Sequence, residues 1–280
     1  MYKLYINGAF VRSESGRSAP FGDDGSSANI AQASRKDIRD AVVAARAAQT
    51  KWWKTAPGTR GLILYRLAEM MESRSAEFIT RVQDGSGVSE REAQREVAAA
   101  IDRTIWYAGW CDKYSALLST RNPVGGPHFN FSTPEPTGVV GIVAPDQPAL
   151  LGLVSVILPA LVGGNAVVVI ASQADPRSAI TFAEALETSD FPAGVVNILT
   201  GNRDELAPVI AKHMDVNALA FIDIDSSSTT ELQRLCAGNV KRSRPLPSRK
   251  SDDWYLPESQ SLNAIADYCE IKTIWHPAGI

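Results

Sequence analysis

The sequence predicts an α/β fold built on a doubly wound parallel sheet, and three observations carry that prediction. From Gly138 onward, short apolar runs alternate with amphipathic stretches, the order expected of βαβ units. The run "GVVGIVAP" is continuously apolar, and "AVVVIA", "GVVNIL" and "VNALAFI" follow as further strands, as in a parallel sheet covered on both faces. Ahead of them, the first half of the chain keeps helical apolar spacing over long stretches. Together these describe a Rossmann-like sheet with N-terminal helices and a small strand-rich arm.

Taken in order, "KLYINGAFV" predicts a hairpin around Asn7-Gly8. Gly, Ser and Asp crowd Ser13 to Ser27, which predicts an irregular loop. Ser34 then opens a helix with Asp37 as its acidic first-turn partner, and Ile38, Ala41, Val42, Ala45 and Ala48 follow at helical spacing. Two further helices are expected over Thr59 to Asp84 and Ser89 to Leu118. "HFNFSTPEP" alternates and then meets prolines, so it reads as an edge strand. Pro148 to Gly164 is the longest apolar run; it is too short for a membrane span of about 20 residues and predicts a buried helix. Helices are expected over "DPRSAITFAEALET", "RDELAPVIAKHM" and "SSTTELQRLCA". The basic run "NVKRSRPLPSRKSDDW" predicts an exposed connector, and "IKTIWHP" a last strand. The expected division is 1–137 for hairpin, helices and oligomerisation strand, 138–238 for the Rossmann-like domain, and 239–280 for connector and assembly strand.

Composition narrows the function. The 280 residues carry a formal charge of −3, which gives no basis for a nucleic-acid or anionic-membrane partner. Cys111, Cys236 and Cys269 are far apart and form no CxxC pair, as expected of free thiols in the cytoplasm. His128, His213 and His276 are scattered, so no metal site is expected. "MYKLYINGAF" has no apolar signal core.

The phrases "LYINGAF", "TRGLILYRLAEMMESRSAEF", "YAGWCDK", "EPTGVVGIVAP", "LPALVGGNAVVV", "FPAGVVNILTG" and "HMDVNALAFI" stand in an order and spacing that resemble the aldehyde dehydrogenase superfamily. With "AGNVKR", "DDWYLP" and "IKTIWHPAGI", the chain is most similar to the non-catalytic C-terminal module of bacterial family sixteen aldehyde dehydrogenases. The resemblance implies a cofactor domain and part of an oligomerisation arm, with the catalytic domain lacking.

It also implies where chemistry would sit. Aldehyde oxidation of this type needs a cysteine thiolate, an oxyanion donor, a gripped nicotinamide and a carboxylate base. The family's Gly-Gln-x-Cys segment has no counterpart in these residues, and the three cysteines read as inert. No acidic residue lies between Glu231 and Asp252, where the family's base is expected. The oxyanion Asn falls at Gln147, one methylene longer. The ribose-binding Lys-Pro-Ser-Glu becomes Ile170, Ala171, Ser172 and Gln173. The phosphate-binding Phe-Thr-Gly-Ser becomes Phe221, Ile222, Asp223 and Ile224, with Asp225 as an N-cap for the next helix. No catalytic, cofactor or metal residues are therefore expected, and Gln147, Ile170, Gln173, Asp223 and Ile224 stand as degenerate positions. The expectation is a non-catalytic subunit, a homodimer or a heteromer with a catalytic aldehyde dehydrogenase. The alternatives are an NAD(P)-dependent aldehyde dehydrogenase in its own right and a nucleotide-sensing module.

Overall fold

The computed structural model describes residues 1–22 and 28–278. The chain opens with the expected hairpin, β1 (Leu4–Ile6) against β2 (Ala9–Val11), with Leu4 opposite Val11. Asn7 and Gly8 take φ of 54° and 72°, the paired left-handed turn that Asn-Gly favours. A second hairpin joins β3 (Ser18–Phe21) to β4 (Ala28–Ala31). This corrects the irregular loop expected from Ser13 to Ser27, of which 23–27 lie outside the described residues. Polar composition hid the strand, whose hydrogen bonds come from the backbone alone.

Helix α1 (Arg35–Lys54) begins at a complete capping box of Ser34 and Asp37. The single helix expected from Thr59 is two, α2 (Pro57–Ser73) and α3 (Ser75–Ser86), parted at Arg74, whose φ of −108° departs from the helical value. Ser89 and Glu92 form another capping box for α4 (Glu90–Ala108), which ends ten residues earlier than expected and is followed by the short α5 (Tyr114–Leu118). The three-stranded arm comprises β5 (Thr120–Asn122), β6 (His128–Pro136) and β12 (Cys269–Pro277), with β6 central. That corrects its expected edge position. β5 pairs only with Asn130–Ser132, so Pro134 and Pro136 fall where β6 has one neighbour and needs no second row of donors.

The remaining elements are β7 (Val139–Val143), α6 (Ala149–Val162), β8 (Ala166–Ile170), α7 (Pro176–Glu187), β9 (Val196–Leu199), α8 (Arg203–Lys212), β10 (Ala218–Phe221), α9 (Ser226–Cys236), β11 (Arg242–Pro245) and α10 (Leu262–Ala266). The main sheet runs β11-β10-β7-β8-β9-β1-β2 and is parallel from β11 to β9. Its order reverses between β7 and β10, the place where such sheets form a ligand crevice. One face buries Val140, Ile142, Val167 and Val169 beneath α6, α7 and the N-terminal helices. The other buries Val139, Val143, Val168 and Ile170 beneath α1 and α8. Gly164, with φ of 86°, lets β8 begin against Trp53, whose ring lies 2.5 Å from where a Cβ would stand.

The basic run after Gly238 is not a plain exposed connector, as had been expected. Arg242–Pro245 hydrogen-bond in parallel to β10 as the sheet's last strand, and Lys241 is buried. The seven-stranded sheet draws β1 and β2 from residues 1–137, β7 to β10 from 138–238 and β11 from 239–280.

Candidate functional site

Because β7 to β11 are parallel, the loops that follow them share one crest above the sheet. The helices α6, α7, α8 and α9 all start there, and each start offers unpaired N–H groups and a partial positive charge. In a nucleotide-binding sheet those groups meet phosphate. Here each start meets the protein's own side chains.

At α6, the buried Glu96 of α4 accepts from Leu150 N (2.8 Å) and Leu151 N (3.1 Å) through Oε1. Burial pushes the Glu96 carboxyl above its ordinary value of 4.5, and the two backbone donors pull it back. At α7, the N-cap Asp175 is buried, accepts from the Ser178 hydroxyl, and its own N–H donates to Ser172 Oγ at 2.9 Å. At α8, Asn202 Oδ1 accepts from Asp204 N and Glu205 N, while Gln173 Oε1 accepts from Arg203 N at 2.9 Å. At α9, Asp225 Oδ1 accepts from Ser227 N and Ser228 N at 2.9 and 3.0 Å, the cap that the sequence indicated. Hydrogen bonds from the Ser227 and Ser228 side chains, and then those backbone bonds, hold the Asp225 carboxyl far below the usual range.

An ion pair spans the crest. Asp146 Oδ1 accepts from Arg203 Nη2 (2.9 Å), Gln173 N (2.8 Å) and Ser172 Oγ (3.2 Å), and Arg203 also donates to Ala144 O at 2.7 Å. This lattice ties the loops after β7 and β8 to the start of α8. Neither Asp146 nor Arg203 nor Glu96 was marked in the sequence. Nothing in a single chain signals that a mid-helix Glu will cap a helix 54 positions away.

The five degenerate positions are now placed. Ile170 ends β8, is fully buried among Leu199, Leu206 and Ile210, and faces the core rather than the crest. Gln173 is exposed, and its amide oxygen is spent on α8. Asp223 keeps a left-handed backbone, φ 56°, where the family has glycine, and its carboxylate accepts from Ser248 Oγ at 2.7 Å. Ile224 lines a cleft of about 280 Å³ between α8 and α9, beside Ala207, Pro208 and Leu232. Gln147 is exposed on the loop before α6. The structure thus groups Gln173, Asp223 and Ile224 with the crest, leaves Gln147 at its margin and withdraws Ile170.

The crevice between β7 and β10 is covered by the residues after β11. Leu246 N donates to Phe221 O at 2.8 Å, and Leu246, Pro247 and Trp254 close over Ile222, Val156 and Pro159. The space left is about 70 Å³, against the roughly 300 Å³ or more of an ordinary small-molecule pocket. None of the thiols is aimed at it. Cys111 lies in the turn after α4, Cys236 ends α9 beside β11, far from the crest where α9 starts, and Cys269 begins β12 with its thiol donating to Ile265 O. All three are buried, and burial pushes Cys111 and Cys269 up to about 12 and raises Cys236. Among the described residues no cluster suited to a metal ion occurs, and no helix is long and apolar enough to cross a membrane.

A model of the aldehyde dehydrogenase family matches residues 12–243. The chain belongs to the aldehyde dehydrogenase family. It is 30% identical over 268 residues to an aldehyde dehydrogenase of Emericella nidulans, covering 94% of this chain and 53% of that one. It is 33% identical over 248 residues to the cytosolic 10-formyltetrahydrofolate dehydrogenase of Xenopus tropicalis, covering 86% of this chain and 28% of that one. Among solved structures, PnpE of Pseudomonas sp. WBC-3, crystallised in complex with nicotinamide adenine dinucleotide, superimposes with a TM-score of 0.83 at 28% identity. The match covers 87% of this chain and 50% of PnpE. The chain spans about half the length of the E. nidulans enzyme and of PnpE, and less of the formyltetrahydrofolate enzyme. The α/β architecture and the family were both legible in the sequence.

A signed pH effect follows from Glu96. A carboxyl whose folded pKa is raised holds its proton more tightly in the folded state, so stability is greatest below its unfolded value and falls as pH rises through the folded one. Glu96→Gln keeps the acceptor oxygen and removes the titration. The variant is expected to gain on the parent above about pH 4.5, and the difference to be flat below it, in urea unfolding followed from pH 3.5 to 7.5. A difference moving the opposite way would mean that the charged form is the favoured one.

Proposed function

We propose that residues 1–280 act as a non-catalytic aldehyde dehydrogenase-family module that builds assemblies with a catalytic aldehyde dehydrogenase. The observation that carries this reading is the set of four helix starts on the crest: the protein's own Glu96, Gln173 with Asn202, and Asp225 take N–H groups of α6, α8 and α9, and the buried Asp175 stands at the start of α7. A dinucleotide would have to displace those bonds and set its phosphates beside fixed carboxylates. Like charges at such distances cost on the order of 1–4 kcal/mol each. The finer resemblance, to the non-catalytic C-terminal module of the bacterial family sixteen enzymes, belongs to the same proposal, as do a cytoplasmic setting and the absence of a bound cofactor.

Titration of NAD and of NADP into the purified chain by calorimetry tests it. A dissociation constant worse than about 1 mM is expected, which is less than about 4 kcal/mol of binding. Micromolar affinity would overturn the reading and favour the alternative, an NAD(P)-dependent oxidoreductase. Two observations keep that alternative in view: PnpE holds NAD on the same architecture, and the cleft beside Ile224 is open. Binding without aldehyde turnover would instead mark a nucleotide sensor.

The assembly half of the proposal rests on the arm. β12 has no strand on its outer side among the described residues, and Ile271 and Trp275 are exposed on it. An open edge with apolar side chains is a template for a neighbouring strand. A homodimer, or a heteromer through the same strands, is expected by light scattering. Ile271→Lys with Trp275→Lys is expected to return the chain to monomer while leaving its fold intact, and deletion of 270–280 to do the same. A stable monomer at micromolar concentration, unchanged by either alteration, would end this part of the proposal.

A further inference from the structure

A cleft of about 810 Å³ lies where the start of α1 meets the end of α8. Four cations line it, Arg35, Lys36 and Arg39 from α1 and Lys212 from α8, with His213 just beyond the end of α8. Its floor is apolar, made by Pro208 and Val209. The chain as a whole is acidic, with a formal charge of −3, so this clustering is not the by-product of a basic protein.

Structural duties do not account for the rim. The N–H groups at the start of α1 are met by Ser34 and the carboxylate of Asp37. The carbonyls at the end of α8 are met by the buried Lys241, whose Nζ donates to Ala211 O and His213 O at 2.8 Å each. That leaves the rim cations without a capping task. Lys36 pairs with Glu14 and Arg39 with its neighbour Asp40, both at the surface. Arg35 and Lys212 form no ion pair among the described residues.

We infer that this groove binds an acidic, amphipathic peptide segment of a partner protein, its carboxylates on the Arg35, Arg39 and Lys212 rim and its apolar side chains on Pro208 and Val209. A compact phosphate fits less well. It would want converging backbone N–H groups, which at α1 are already taken by Ser34. Carboxylates spread along a segment match cations spread along two helices, as Glu14 matches Lys36 at the surface. A nucleic acid would want aromatic platforms, and the lining has none beyond His213. Its lining shares only Pro208 with the cleft beside Ile224, so it stands whether or not the crest binds a dinucleotide.

The test uses a fluorescein-labelled synthetic peptide of about fifteen residues, with Glu and Leu at amphipathic helical spacing, and anisotropy at low salt. Saturable binding is expected, with Arg35→Glu plus Lys212→Glu weakening it at least about tenfold. Both side chains are exposed, so unchanged thermal unfolding by circular dichroism is expected of that variant. Val209→Lys, which spares every rim cation, is expected to weaken binding by about threefold or more. The same peptide with Lys for Glu is expected not to bind. The inference is overturned if the acidic peptide fails to bind, if the charge reversals leave its affinity unchanged, or if Val209→Lys has no effect. Displacement by sodium tripolyphosphate at lower concentration than by unlabelled peptide would also overturn it, in favour of a small polyanion.

Discussion

In the native protein, iodoacetamide at pH 8 is expected to leave Cys111, Cys236 and Cys269 unmodified under conditions that alkylate all three in guanidinium chloride. The thiolate is the reacting form, and a free cysteine titrates near 8.5. Burial pushes Cys111 and Cys269 up to about 12, which lowers their thiolate fraction at pH 8 by about a thousandfold. Enclosure then removes direct access, so reaction waits on opening of the surrounding structure. Cys236 is raised by the same cause, although Lys241 nearby opposes it. Because each folded value lies above the unfolded one, the retardation should persist across pH 6 to 9 and narrow only at strongly alkaline pH. Mass spectrometry of timed samples would resolve the three sites. One thiol that alkylates within about tenfold of its denatured rate would be an accessible, activated cysteine. It would revive the case for a nucleophile within these residues.

The fold was legible wherever local chemistry and long-range packing agreed. Asn7-Gly8 fixed a hairpin, Ser34 with Asp37 and Ser89 with Glu92 fixed helix starts, and four apolar runs became the four central parallel strands. It was illegible where a strand lacks an apolar pattern. "RSRP" becomes β11 through parallel backbone bonds to β10, with Arg242 reaching Glu270 and Arg244 reaching Asp267 from residues distant in sequence. At the crest, the replaced positions Gln173, Asp223 and Ile224 were visible because they depart from a known pattern. What occupies the helix starts was mostly invisible. Asp225 caps its own helix and could be read. Glu96 and Gln173 act across the fold, and the Asp146–Arg203 pair exists only once two loops have met.

Arg103→Met is expected to release the segment that covers the crevice while leaving the sheet folded. Arg103 is buried in α4 and has no carboxylate partner among the described residues. It donates to Ser155 Oγ on α6 at 2.6 Å, to Trp254 O at 2.7 Å and to Ser259 O at 3.4 Å. Between Pro247 and Ser261 the chain runs in short turns, held to the rest of the fold by these donations, the burial of Trp254, Ser248 on Asp223, and Arg95 against Asp252 and Tyr255. Methionine fills much of the arginine stem's volume but leaves a buried carbonyl and hydroxyl with one donor fewer, a loss of about 2–3 kcal/mol. If that loss falls on local opening, amide exchange over 250–262 should quicken by about 30- to 150-fold. Exchange in α6 and β8 should change far less, because their bonds break only when the sheet does. Arg103→Lys, with a charge but no planar fork, should fall between parent and Met. NAD should still bind no better than to the parent, because Glu96, Asp175, Gln173 with Asn202, and Asp225 would continue to occupy the helix starts after the cover has gone. Equal acceleration throughout the sheet would show that Arg103 supports the whole fold. Tight NAD binding to the opened variant would show that the covering segment, and not the filled helix starts, keeps the dinucleotide out.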